Sequence, residues 1–162
     1  YIEYMRSNVE KISTFLFEAH KAGDRFVNLE KDMKPKDFDE AYEVQTQLRQ
    51  KLPRGSLGGY KIALSSKIQQ DYHKISHPVY GGLFKNEIFN SPKTIVLKNY
   101  HRMSVEFELA FELSERIIDP SIQRNPENIV HDILNVLPAI ELIDDRGANY
   151  DGLDPLLSLI HI

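Results

Sequence analysis

At 162 residues and 18.8 kDa the chain suits one domain with a real core, since a chain of this size buries roughly two thirds of the surface that its unfolded form exposes. A net charge of −4, a pI of about 5.9 and no clustering of Lys or Arg exclude nucleic acid and anionic membrane as partners. The absence of cysteine removes disulfides, thiol nucleophiles and thiolate metal sites together, which fits the cytoplasm and leaves any metal to oxygen or imidazole ligands, and no apolar run approaches the roughly 18 residues of a membrane span.

The chain opens on Tyr1 instead of Met, which leaves room for a preceding segment. Its first third reads as helical. Ile2, Met5, Val9, Ile12, Leu16 and Ala19 recur at helical spacing, and a second helix from residue 35 or 36 to about 50 would bury Phe38, Ala41, Val44 and Leu48. LPRGSLGG, residues 52–59, breaks the pattern, and from Tyr60 the reading changes to short strands: YKIALS, KTIVL, SVEFELAFEL and LPAIELID. A further helix is expected near residues 127–136, with Asn125 as N-cap and Pro126 in the first turn, where its missing N–H costs nothing. No repeat or low-complexity segment interrupts this order. The fold class is α+β: an N-terminal helical region, residues 1–55, followed in the same domain by a mixed, mostly β region, residues 56–162.

Read with a period of two, SVEFELAFEL puts Val105, Phe107, Leu109, Phe111 and Leu113 on one side, and Ser104, Glu106, Glu108, Ala110 and Glu112 on the other. Glu is a poor strand former, and like charges two positions apart on one face lie only about 7 Å apart. A solvated outer face is the plain reading of three such carboxylates. LPAIELIDD favours another, because Glu141 sits inside the apolar run from Leu137 to Ile143, broken otherwise only by Pro138, and such a run reads as a strand covered on both faces. A buried carboxylate costs several kcal/mol unless it is paired, protonated or bound to a cation. Two Glu of one strand and a third from its neighbour can converge on a single hard cation, leaving positions open to water or substrate, as Mg²⁺ prefers.

GGYKIALSS, residues 58–66, has a similar asymmetry, with Tyr60, Ile62 and Leu64 on one face and Lys61, Ala63 and Ser65 on the other. Lys61 is then an ammonium on a face small enough to leave a pocket. A surface lysine or plain ion pair is one reading. The functional one is a lysine paired with the metal carboxylates or substrate, moving protons because burial tunes it. RGSLGGYKI lacks the spacing of a phosphate-binding loop, and Ile62 stands where its hydroxyl should be. His73 and His77 are four apart, but Pro78 follows at once and no third ligand is near in sequence, so both read as loop histidines.

In their order and separations GYKIALSSK, PVYGGLF, VEFELAF and PAIELIDDR, with AYEVQ at residues 41–45, resemble the 2-keto-4-pentenoate hydratase family of the fumarylacetoacetate hydrolase superfamily, including its 4-oxalocrotonate decarboxylase branch. The resemblance runs to about Asp145. It implies a cytoplasmic lyase acting on short unsaturated 2-oxo acids from aromatic-ring cleavage, homo-oligomeric at full length. Mg²⁺ or Mn²⁺ is then held by Glu106, Glu108 and Glu141, Lys61 takes part in catalysis, and Ser65 and Ser66 contact substrate.

Three departures from the family pattern bear on the reaction. Val79 stands where hydratases carry an acidic residue that works with the lysine; Ala63 and Ser65 replace a Gly and a Thr; and after Asp151 the motifs stop. DPLLSLIHI then closes the chain well short of the family's extent, so the fold reads as C-terminally truncated and these last residues as foreign to the pattern. Loss of CO₂ from a vinylogous β-keto acid needs an electron sink but no activated water, so Val79 tilts the expectation to decarboxylation of the 4-oxalocrotonate type. Hydration, and a non-catalytic homologue that keeps its metal, are the alternatives.

Overall fold

A computed structural model describes residues 7–26, 28–149 and 153–160. The chain forms two compact units, residues 1–96 with 146–162, and residues 97–145.

The first unit is built on two capped helices. Ser7 accepts a hydrogen bond from the Glu10 N–H at 3.2 Å and so starts α1 (Asn8–Ala22), while Gly23 ends it in the left-handed conformation, at φ 72°, that glycine adopts without strain. Val9, Ile12 and Leu16 form its buried stripe; Ile2 and Met5 lie outside the described residues. Asp37 accepts from the Glu40 N–H at 2.9 Å and sets the start of α2 (Phe38–Lys51), slightly later than expected, with Ala41, Val44 and Leu48 buried and Phe38 packed beside them. α2 packs against both α1 and an element near the C-terminus.

β1 (Leu57–Ala63) pairs antiparallel with β2 (Val79–Phe84), a strand that the sequence reading quotes only as a motif. The register shifts between Leu57 and Gly59. The extra residue is Gly58, where a Cβ would meet the Lys85 Cα at 2.7 Å, so only glycine lets the two backbones come this close. α3 (Lys67–His73) connects the strands and went unread because its apolar residues, Ile68 and Tyr72, face solvent and leave no buried stripe. α4 (Pro155–Ile160), which the sequence reading did not expect, lies within DPLLSLIHI and buries Leu157, Leu159 and Ile160 in the core. The buried amide of Gln45 donates to the Leu159 carbonyl at 2.9 Å and to that of Tyr80 at 3.1 Å, tying α2 to α4 and β2.

The second unit is a long antiparallel ribbon. β3 (Met103–Leu113) pairs with β4 (Ile133–Asp144) from Met103 opposite Asp144 to Glu112 opposite Asn135. One face carries Val105, Phe107, Leu109 and Phe111 with Val136 and Ile140; the other carries the glutamates. The expected helix at residues 127–136 is a single 3₁₀ turn, Ile129–Asp132, followed directly by strand. Asn125 does cap, its side chain accepting from the N–H groups of Glu127 and Asn128, yet the β-branched, apolar residues beyond it pair with β3. KTIVL forms no strand: residues 93–96 are irregular and Leu97 begins a 3₁₀ turn, Leu97–Asn99. Its apolar residues are consecutive instead of alternating, and Val96 and Leu97 are exposed. Nor is β4 covered on both faces, since Ile140 is 62% exposed.

Candidate metal centre

Pairing places Glu106 directly opposite Glu141 and Glu108 opposite Ala139. Directly opposed residues share a face, and residues two apart on a strand do too, so all three carboxylates stand on one side of the ribbon. One oxygen from each lies within 4.8 Å of the others. Glu106 and Glu108 are exposed and Glu141 is half-buried, less enclosed than the apolar run around it suggests. Mg²⁺, with oxygens at about 2.0–2.1 Å, spaces opposite ligands by about 4 Å, and Ca²⁺, at about 2.3–2.6 Å, by up to about 5 Å. A small side-chain adjustment closes the observed group around either ion, and its all-oxygen donors suit hard cations. Among the described residues this is the one group of three or more candidate ligands.

Glu112 lies further along the same face but accepts a hydrogen bond from the Asn135 amide at 2.6 Å. The three strand glutamates that look equivalent in sequence are thus sorted by what stands across from each. At the other end the Asp144 carboxylate accepts from the backbone N–H groups of His101 and Arg102 at 3.1 and 3.2 Å, and Arg102 pairs with Asp145. These aspartates hold the end of the ribbon closed beside the triad. Sequence reading passed over that role, and the only available signal was their position at the end of the second strand.

Lys61 belongs to the first unit. It is half-buried opposite Gly81, while its neighbours Tyr60 and Ile62 point outward to solvent, so the lysine side of β1 is the inner one. Val79 stands opposite Ala63 and therefore on the face of Lys61, a diagonal of about 7–8 Å away, and is 3% exposed. An acid at position 79 would share that face. β1 ends at Ala63 and Leu64 follows with φ 56°, so Ser65 lies beyond the strand. The Ser66 hydroxyl caps α3, accepting from the Gln69 N–H at 3.3 Å. His73 is the last residue of α3, not a loop residue; His77 does lie in a loop, its ring edge-on to Phe38 at 4.8 Å.

With this geometry in hand, the comparisons with known proteins concern both fold and sequence. In fold the chain is similar to the 4-oxalocrotonate decarboxylase of Pseudomonas putida complexed with magnesium and adipate, with a TM-score of 0.76 at 21% identity over 94% of this chain and 57% of that one. A second structure of that enzyme, complexed with calcium and acetate, gives a TM-score of 0.74 over the same shares. In sequence the chain resembles the 2-keto-4-pentenoate hydratase family. It is 33% identical over 146 residues to the 2-oxo-hept-4-ene-1,7-dioate hydratase of Escherichia coli, covering 86% of this chain and 52% of the relative. It is 30% identical over 145 residues to the 2-keto-4-pentenoate hydratase of Paraburkholderia xenovorans, covering 88% and 53%. The chain spans about half the length of these curated relatives. No protein-family model matches it. No helix among the described residues is long and apolar enough to cross a membrane.

Proposed function

We propose that this chain carries the metal-binding half of a cytoplasmic, divalent-cation-dependent lyase of the fumarylacetoacetate hydrolase superfamily, acting on short unsaturated 2-oxo acids. The observation that carries the proposal is the convergence of Glu106, Glu108 and Glu141 within 4.8 Å from two strands. Bound there, Mg²⁺ or Mn²⁺ supplies a Lewis acid for the 2-oxo acid group and stabilises charge that develops at its 2-oxygen. The three carboxylates orient the ion, and the open side of the ribbon leaves room for substrate. Lys61 is assigned proton transfer, because it stands half-buried on the inner face of β1. Ser65 is assigned to substrate contact, and Ser66, by capping α3, fixes the loop that carries it.

Between the two reactions the reading favours decarboxylation of the 4-oxalocrotonate type. Val79 puts a buried isopropyl group on the lysine face, where a hydratase needs a second acid or base. Hydration of a 2-hydroxy-dienoate remains the second reading because the curated relatives are named hydratases.

The test begins with melting curves in Mg²⁺, Mn²⁺ and EDTA. Binding to the folded state raises the melting temperature by mass action, and Glu141→Gln should remove most of that rise. A wild-type curve indifferent to metal and chelator would sink the metal site. For the reaction, the protein at the relatives' full length is supplied with Mg²⁺ and either a 2-oxo-hexenedioate or a 2-hydroxy-dienoate. CO₂ release with little hydration is expected of wild type, and water addition should appear in Val79→Asp. Strong wild-type hydration would restore the hydratase reading.

A further inference from the structure

Two residues of the AYEVQ stretch, Tyr42 and Gln45, take no part in the proposed chemistry, yet both reach the strand that pairs with Lys61. The Tyr80 N–H donates to the Tyr42 hydroxyl at 3.3 Å, and the Tyr80 carbonyl accepts from the Gln45 amide at 3.1 Å. The rings of Tyr42 and Tyr80 stack at 4.4 Å, 17° from parallel. One helical turn on, Arg49 lies over Gly82, where a Cβ would meet the Arg49 Cδ at 3.2 Å. Spaced by three and then four positions, Tyr42, Gln45 and Arg49 form one stripe of α2 along the edge of β2 that faces away from β1.

In an antiparallel pair, successive residues turn their backbone groups alternately to one side and to the other. With both groups of Tyr80 held by α2, those of Gly81 turn to Lys61, its partner in the register. A shift of the pairing by one residue would move every β2 side chain to the opposite face, and Gly-rich strands specify their register weakly. β2 carries Gly81 and Gly82, and β1 carries Gly58 and Gly59, so packing within the pair gives the register little support. After such a slip the Tyr80 ring would stand on the lysine face, whereas in the observed pairing the residue across from Lys61 has no side chain.

We propose that Tyr42, Gln45 and Arg49 are positioning residues, a clasp from α2 that fixes the register of β2 and so keeps glycine opposite Lys61. The catalytic consequence rests on the lyase reading, in which Lys61 moves a proton; the register does not.

Nuclear magnetic resonance of the 162-residue chain tests the register without any activity. Ile62 and Tyr80 are opposed with the Tyr80 backbone groups turned away, an arrangement that brings their α-protons close, so a cross-peak between these protons marks the observed pairing. Gln45→Leu and Tyr42→Phe should each weaken that cross-peak and double the Gly81 and Gly82 amide signals, one set for each register, and the double variant should lose it. Ser13→Ala, which removes the hydrogen bond from the buried Ser13 hydroxyl to Gln47, should lower the melting temperature but leave the cross-peak and the single glycine signals as in wild type. In the protein at the relatives' full length, with Mg²⁺ and a 2-oxo-hexenedioate, Gln45→Leu should lower kcat about tenfold and change KM less than about twofold, because a displaced lysine impairs the proton step more than binding.

A folded double variant that keeps the cross-peak and single glycine signals overturns the clasp. Should that variant unfold, Tyr42→Phe decides alone, since it keeps the ring stack and loses only the hydroxyl. Lost register with unchanged kcat would overturn the claim that the clasp serves Lys61. An inactive wild type whose register still responds to Gln45→Leu would refute the lyase reading and support the clasp.

Discussion

The two units of this chain solve the problem of stability differently. In the first, every residue of the buried apolar cluster, from Val9 and Ile12 through Val44 and Val79 to Leu157 and Ile160, belongs to the same packed body. In the second, residues 97–145, the single buried residue among those described is Asp132, 2% exposed and ion-paired with Arg124 at 2.9 Å. One unit therefore has an oily interior. The other has a ladder of backbone hydrogen bonds, a carboxylate face, a bare apolar face and one buried ion pair. The carboxylate group lies in the unit that has not spent its apolar residues on a core of its own.

The largest effect expected from that contrast is on the first unit. Ile12→Ala removes a side chain with no exposed surface and should cost about 2–5 kcal/mol at any protein concentration. Phe107→Ala deletes a larger side chain, yet in dilute protein it should shift stability by no more than about 0.5 kcal/mol, as surface changes do. Urea titrations of the two variants separate the cases. A loss of about 3 kcal/mol in Phe107→Ala would mean that the ribbon face is core after all.

What the sequence could say follows the same division. Helical spacing located α1 and α2 because their apolar residues do face a core, while Ser7 and Asp37, which cap their starts, were not read from the sequence. The period of two located β3 for the same reason in reverse, as alternation separates its two faces even when neither is covered. The carboxylate group was legible because strand pairing turns sequence separations of two, and of one full hairpin, into neighbours. Where local signals misled, long-range pairing decided: Asn125 and Pro126 promise a helix, but residues 133–144 gain more by pairing with β3. α3 and α4 were missed for opposite reasons. α3 buries little, and α4 buries three residues within only six, too short for any period to show.

A middle-sized effect tests the buried ion pair. The Arg124 side chain donates to Asp132 and to the carbonyls of Asp119 and Ile122, each at 2.9 Å, and also to the carbonyl of Arg116, so it gathers the connection between β3 and β4 around one carboxylate. Asp132→Asn keeps the shape but leaves the guanidinium without its counter-charge, at a cost of about 2 kcal/mol. Hydrogen exchange should quicken in residues 114–132 and stay unchanged in α1 and α2. Equal acceleration in both units would show that they unfold as one and that the division drawn between them has no energetic meaning.

The smallest effect is electrostatic and belongs to the first unit. His20 sits in the last turn of α1, where the helix dipole alone would favour the imidazolium. Burial opposes it, and the charges of Arg146 and Arg54 add to that opposition, so its pKa falls from 6.5 to about 4. The folded state thus holds His20 neutral at a pH where the unfolded chain already binds the proton. Stability from this group is complete above about pH 6.5, declines as pH falls toward about 4, and changes no further below that. His20→Gln should therefore flatten the fall in melting temperature between about pH 7 and about pH 5, a window in which ordinary carboxylates remain mostly ionised. The readout is the difference in slope between variant and wild type. Parallel slopes would show that the folded protein accepts the proton as readily as the unfolded chain, and the arginine-lined end of α1 would then be more open to water than its burial indicates.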